Sequence, residues 1–377
     1  MTEDIRIHRG LKGVHFERSG ISDIDGRAGK LTYRGYSIHD LAQQSTFEET
    51  AYLLIHGELP DATQLATFTE SLVAARTLPD EVITLIELIK DGHPMDVLRT
   101  AVSALAALEA GSTDATEAGY MANGVRLTSQ VPQIVATHHA LRTGRPAPKP
   151  DPSLGHAANW LWMLKGEKPS EDAAKLADVD FVLHAEHGSN ASAFAARVTV
   201  GTEANFHSAC VTALSTLSGP AHGGAAEDVM TMVEEIGTPE RAAEYVKTKR
   251  ANREAVTGFG HRVYRAEDPR ARHMRDGVEK LGREMGQPQW FEVLQAVVEA
   301  MSPYARHGLN VNVDFYSGAI YQLHGIPKDL YVPIFAIGRV PGWLIQCVEQ
   351  LRSNILIRPL TLYNGPDDRD YVPLDAR

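Results

Sequence analysis

From Met95 to Gly111 the chain reads MDVLRTAVSALAALEAG, rich in alanine and leucine, with apolar residues at helical spacing and a closing glycine. Residues of this kind lose little freedom in a helix, and the apolar stripe they form must be buried against another element. Further helical runs read at about 131 to 142, 173 to 186, 203 to 217, 225 to 236, 239 to 252, 269 to 284, 289 to 301, 313 to 323 and 329 to 353. No sustained period-two alternation competes with them. The expected fold class is all-α, with at most a small β element near the N-terminus.

Local signals agree with that expectation. Ser45 with Glu48, or Thr46 with Glu49, forms a capping-box pattern ahead of ETAYLLIHG, and Gly57 and Pro60 stop the helix that follows. Residues 5 to 36 mix short β-branched and aromatic pieces with Gly10, Gly13, Gly20, Gly26, Gly29 and Gly35, which predicts an irregular or hairpin-like segment. GRPAPKPDP, residues 144 to 152, reads as a surface loop.

At 377 residues the chain exceeds the size at which one core keeps growing, so two domains, or one large body with a lobe, are expected. The balance of 37 basic and 48 acidic residues, net −11, argues against a nucleic-acid surface or a polybasic membrane patch. It also means that any anionic ligand must be drawn in by cations within roughly a Debye length, about 8 Å at physiological salt. Cys210 and Cys347 are too few for a disulfide framework, have no metal-type spacing, and read as small core residues. MTEDIRIHRG has no apolar leader region and no run of about 18 apolar residues occurs, so a cytoplasmic location is expected.

One stretch is too charged for a core segment. GFGHRVYRAEDPR, Gly258 to Arg270, sets one histidine, three arginines (Arg262, Arg265, Arg270) and two carboxylates behind a Gly-x-Gly turn. Arginine forks suit carboxylate or phosphate, and His261 offers a donor whose protonation is tunable near neutrality. Three other segments also interrupt the helices with polar residues beside glycine: AEHGSN around His187, SGPAHGG around His222 and NVDFYSG around Asp314. Singly, such a histidine is an ordinary capping or loop residue. Four such segments in one helical chain point to a common site.

Several chemistries lack their signatures. No H-E-x-x-H pair occurs, and adjacent His138 and His139 diverge on a helix, so no metal is expected. Val263 breaks a G-x-G-x-x-G reading, and neither a phosphate-binding P-loop nor a G-x-S-x-G elbow is present. What remains is acid-base chemistry with one carboxylate, several histidines and isolated arginines.

At these residues the chain resembles the citrate synthase family. Gly258 to Arg270 fits that family's G-x-[GA]-H signature closing on D-P-R; RGY at 34 to 36, HPM at 93 to 95, EHGSNAS at 186 to 192, GPAHGG at 219 to 224, NVDFYSG at 312 to 318 and IRP at 357 to 359 match it in order. The resemblance implies an acyltransferase that converts the acyl group to alkyl on transfer, condensing acetyl-CoA with oxaloacetate and hydrolysing the thioester. It implies Asp314 as base, His222 as donor to the acetyl carbonyl, and His261 polarising the ketone. Arg270, Arg339 and Arg358 would hold the oxaloacetate carboxylates with His187 as a further donor. Arg265, Gly258 and Asn312 would face CoA, which binds as a co-substrate; no permanent cofactor is implied.

The family fold has a large helical domain, expected here at 1 to 222 and 326 to 377, and a smaller one, 223 to 325, that closes over the cleft. Arg358 would come from a neighbouring subunit, so the resemblance also implies a homodimer. Ala226 stands where the family commonly has Asn, Ser189 replaces a usual aromatic, and Val311 a usual proline. The nearest rival activity is 2-methylcitrate synthase, which uses propionyl-CoA; relatives dedicated to it often read D-S-R at the positions of Asp268, Pro269 and Arg270. A more distant alternative is a non-catalytic relative that binds citrate or CoA.

Overall fold

A computed structural model describes residues 6–377; residue 5, the start of the expected irregular segment, lies outside the described residues. A three-stranded antiparallel sheet opens the body, in the order β1 (Ser22–Asp25), β2 (Lys30–Tyr33) and β3 (Tyr36–Ser37). Leu31 and Tyr33 share the buried face, as the strand period of two requires.

Ten helices follow: α1 (Ile38–Gln44), α2 (Phe47–His56), α3 (Ala62–Ala74), α4 (Asp80–Leu88), α5 (Pro94–Leu108), α6 (Glu117–Arg142), α7 (His156–Lys165), α8 (Glu171–His184), α9 (Ala191–Val200) and α10 (Phe206–Leu217). Next come α11 (Ala225–Ile236), α12 (Ala242–Ala251), α13 (Ala271–Glu284), α14 (Gln289–Met301) and α15 (Asp314–Leu323), which pack chiefly on one another. The last helix, α16 (Tyr331–Arg352), returns to the first group and lies against α2, α6, α8, α9 and α10.

α16 is long and apolar enough to cross a membrane by length and composition, but 94% of that stretch is buried inside the fold, so it is the central core helix. Gly342 makes its closest approach possible. A Cβ there would stand 2.1 Å from the carbonyl oxygen of Ala185, so only glycine lets α16 reach the segment that carries Glu186 and His187. Tyr33 ties the sheet to the same place, its hydroxyl donating to the carbonyl of Glu186 at 2.8 Å.

Of the capping-box pattern ahead of α2, the N-cap half at Thr46 forms. Thr46 accepts from the Glu49 N–H at 3.2 Å, and Gly57 ends α2 at φ 94°. α5 begins with His93, whose Nδ1 accepts from the Met95 N–H at 3.2 Å, and with Pro94 in the first turn. Both cysteines are free and buried in the core.

Five helices, α1, α3, α4, α7 and α9, were not legible as helical runs, and α6 begins at Glu117 rather than near 131. The first half of α6 carries Asn123, Thr128, Ser129 and Gln130, all buried. A helix enclosed on most sides has no polar face, so its sequence shows no amphipathic period. Beyond α16 the chain runs through residues 353 to 373 without helix or strand, exposing Leu360, Tyr371 and other apolar side chains.

Candidate active site

The segment ahead of α13 is clasped to the one ahead of α15. Gly260 N–H donates to the Asn310 carbonyl at 2.8 Å, Asn312 N–H to Gly258 at 2.9 Å, and Asp268 N–H to Val311 at 3.0 Å. Gly258 sits at φ 82°, and a Cβ on it would meet Phe315 at 2.5 Å, so glycine is needed both for the turn and for its packing on α15. These bonds carry His261, Arg270 and Asp314 into one neighbourhood.

Within the turn, Nδ1 of His261 accepts from two backbone donors, Val263 N–H at 3.0 Å and Tyr264 N–H at 3.1 Å. Its proton must therefore sit on Nε2. Burial, reinforced by the charge of Arg270, pushes its pKa down to about 4, so the ring is a neutral donor at pH 7. Its ring centroid lies 5.2 Å from that of His187, edge-on. His187 is buried, shares a hydrogen bond of 3.1 Å between Nε2 and the Tyr264 hydroxyl, and is held well below its ordinary pKa by burial and by Arg270.

Two guanidinium groups meet here. Arg270 and Asp268, 3% and 1% exposed, form a bidentate pair with Nε to Oδ1 at 2.9 Å and Nη2 to Oδ2 at 2.7 Å. Burial alone would raise the Asp268 carboxyl, but the charge and hydrogen bonds of Arg270 override it and hold it below the usual range. Arg339, 1% exposed on α16, donates from Nε to the His184 carbonyl, while its Nη1 is buried with no hydrogen-bond partner. Burial pushes its pKa down to about 10 against the opposing charge of Glu186. Both arginines act electrostatically on Tyr33, His187 and Asp314, so their charges converge. A buried cation with an unused donor calls for an anion. This arrangement supplies locally the attraction that a net charge of −11 withholds.

His222 stands on the turn after α10. Its Nε2 accepts from the Ser192 N–H at 3.3 Å and lies 2.9 Å from the Ser192 hydroxyl, which is itself held by Trp343 Nε1 at 3.1 Å. Nδ1 therefore carries the proton, and burial with the charge of Arg339 pushes the pKa down to about 4. Ala226 packs toward α15, its carbonyl 2.6 Å from where a Cβ on Gly318 would stand. Since Ser192 orients the imidazole, no amide at position 226 is required for that purpose.

Asp314 is the first residue of α15 and retains partial access to solvent. Burial raises its pKa, with His184 and Arg270 opposing. The ensemble is one carboxylate tuned toward proton transfer, three neutral imidazoles and two buried guanidinium groups. It suits removal of a weakly acidic proton beside a carbonyl, with an anionic carboxylate substrate held close by.

Other expected residues lie differently. Arg358 is exposed on the C-terminal tail, outside this cluster. Arg265 is exposed and folds back, its Nη1 donating to the carbonyls of His261 and Tyr264 at 3.0 and 3.1 Å. Asn312 donates from Nδ2 to Gly260 at 3.1 Å and keeps a buried Oδ1 without a partner. Sequence reasoning missed Ser192 and Tyr264 as partners of the histidines. Ser192 lay inside EHGSNAS two residues after the helix-capping Asn190, and that cap was the available signal. A surface cavity lined by His139, Arg145, Lys165 and His324 sits at the far end of α15, apart from this cluster.

Residues 10–360 match the family model described as citrate synthase, C-terminal domain. The chain is 43% identical to a citrate synthase of Haloferax volcanii, over 98% of this chain and 99% of the relative. It is 40% identical to 2-methylcitrate synthase 2 of Corynebacterium glutamicum, over 100% and 99%. Its fold is similar to that of a citrate synthase of the thermophilic archaeon Thermoplasma acidophilum, solved as a ternary complex with carboxymethyl coenzyme A and oxaloacetate, at a TM-score of 0.93 and 30% identity, covering 99% of this chain and 100% of that one.

Proposed function

The chain belongs to the citrate synthase family, and from that premise we propose that it condenses acetyl-CoA with oxaloacetate and hydrolyses the resulting thioester to citrate and CoA. The reaction transfers an acyl group that becomes alkyl in the product. The observation that carries this reading is the unpartnered Nη1 of buried Arg339 in the same electrostatic neighbourhood as Arg270 and Asp314. Oxaloacetate is a dianion, and opposed forks fix its orientation as well as its affinity. Arg270, with one edge already held by Asp268, presents its remaining donors, and His187 adds another.

Asp314 removes a proton from the acetyl methyl group while the Nδ1–H of His222 donates to the thioester carbonyl oxygen. An imidazole already neutral at pH 7 donates there without first losing a charge. The Nε2–H of His261 polarises the ketone, whose carbon then forms the new C–C bond with the enol carbon. Water cleaves the citryl thioester, releasing CoA as the thiol.

Residues 223 to 325 would form the small domain, since α11 to α15 pack chiefly among themselves; 1 to 222 and 326 to 377 would form the large one. Closure between them would exclude water until condensation is complete. The exposed tail supports a homodimer, because Leu360, Leu362, Tyr363, Tyr371 and Leu374 form apolar surface that a second copy would cover, bringing Arg358 to the neighbouring site. Arg265, Gly258 and Asn312 would lie on the CoA side of the cleft.

The relative named 2-methylcitrate synthase keeps propionyl-CoA as a second reading. One methylene separates the substrates by about 1 to 3 kcal/mol. Free-thiol release with oxaloacetate and either acyl-CoA tests both: a higher kcat/KM for acetyl-CoA supports the proposal, a preference for propionyl-CoA reverses it, and no release of thiol from either removes it.

A further inference from the structure

Two half-buried imidazoles meet between α1 and α13. Nδ1 of His39 lies 2.8 Å from Nε2 of His273, with the ring centroids 5.1 Å apart. Burial chiefly holds both rings below the ordinary histidine pKa, His273 at about 4, and the charge of Arg272 adds to this against Asp40 and Asp276. Both rings are neutral at pH 7, so one of the two facing nitrogens donates and the other accepts.

A short chain of bonds runs from each ring to the candidate site. His39 follows β3 directly: its N–H donates to the Ser37 hydroxyl at 3.2 Å, and Ser37 and Tyr36 pair with Thr32 and Tyr33 of β2. Tyr33 in turn donates to the Glu186 carbonyl at 2.8 Å, next to His187. On the other side the N–H of His273 donates to the Arg270 carbonyl at 3.2 Å, one helical turn back at the start of α13. The bond between the imidazoles therefore ties the frame that carries His187 to the turn that carries Arg270.

Little else ties α13 to that frame. Among the described residues, its side chains make one other hydrogen bond to α1–α10, from Lys280 Nζ to Asp172 Oδ1 at 2.8 Å, between groups 58% and 62% exposed. An ion pair so open to water contributes little. The sheet holds the chain ahead of Arg270, where the Arg265 N–H donates to the Gly26 carbonyl at 2.7 Å. His39 supplies the hold beyond it.

We propose that His39 is a positioning residue for oxaloacetate: through its hydrogen bond to His273 it fixes the first turn of α13, and so the guanidinium of Arg270 relative to His187. The inference rests on the reading of Arg270 and His187 as oxaloacetate ligands.

The experiment measures the oxaloacetate Kd by calorimetry and kcat by thiol release at saturating substrates, in the full-length protein. In His39→Ala the Kd is expected to rise about fivefold, the size of one net hydrogen bond, with kcat within about twofold. His273→Ala should give the same rise, and the double variant no more than either, since both remove one bond. Side-chain amides that reach the same places test the bond itself. His39→Asn stands in for Nδ1 and His273→Gln for Nε2, and each should bring the Kd back to within about twofold of wild type. An unchanged Kd in His39→Ala, single losses that multiply to about 25-fold in the double variant, or no rescue by either amide overturns the proposal.

Should the alanine variants fail to fold, His39→Phe and His273→Phe, which keep a ring without a hydrogen-bonding atom, carry the same cycle with the same outcomes. Arg270→Ala tests the underlying reading separately. Wild-type oxaloacetate affinity in that variant would remove Arg270 as a ligand, whereas weak binding there with an unchanged Kd in His39→Ala would remove the positioning role alone.

Discussion

The backbone N–H of Ser192 donates to Nε2 of His222 at 3.3 Å, and this bond decides which nitrogen of the imidazole is left to act. With Nε2 engaged, Nδ1 is the donor, on a ring that burial keeps neutral. The Ser192 hydroxyl lies 2.9 Å from the same nitrogen and itself accepts from Trp343 Nε1 at 3.1 Å.

Ser192→Ala keeps the backbone bond and removes the hydroxyl. A loss of roughly tenfold in kcat is expected, as for other partners that orient a functional imidazole, with the KM for oxaloacetate nearly unchanged. Steady-state kinetics with each substrate varied in turn checks the split.

Asp268→Ala leaves Arg270 buried without its partner. Removing one member of a buried ion pair costs about 3 to 5 kcal/mol, so a comparable fall in unfolding free energy is expected in denaturant titrations, together with weaker oxaloacetate binding. The pH dependence has a definite sign. Asp268 is depressed in the fold below the ordinary aspartate value of 3.8; its contribution is present above that value and is lost as pH falls through the lower folded value. The acid-dependent loss should be smaller in Asp268→Asn.

The buried histidines act in the same direction, at higher pH. His156 is pushed down to about 3 and His222, His207 and His261 to about 4, each mainly by burial. The unfolded chain then binds more protons than the folded one below the ordinary histidine pKa of about 6.5. Stability should therefore fall as pH drops from about 6.5 toward 4, by up to about 1.4 kcal/mol per pH unit for a wholly buried ring. Unfolding free energies measured across that range would test it; a flat profile would show that these rings are not buried neutral.

Much of this was legible from short-range signals. Thr46 and Gly57 bracket α2 because caps act within one turn, and the polar interruptions around His187, His222, His261 and Asp314 stood out because helices elsewhere bury their apolar faces. What escaped depended on tertiary contact. α6 hides its polar residues against neighbouring helices, α9 follows a cap inside a segment read as a loop, and the Asp268–Arg270 pair forms only because the turn curls back on itself.

Asp314→Asn tests the central claim most directly, with oxaloacetate affinity measured by calorimetry and turnover by thiol release on the same preparation. The account predicts that turnover collapses while the oxaloacetate Kd stays within about threefold, in contrast to Arg270→Ala, where the affinity itself falls. Retained turnover, or a loss of oxaloacetate affinity equal to that of Arg270→Ala, would contradict it.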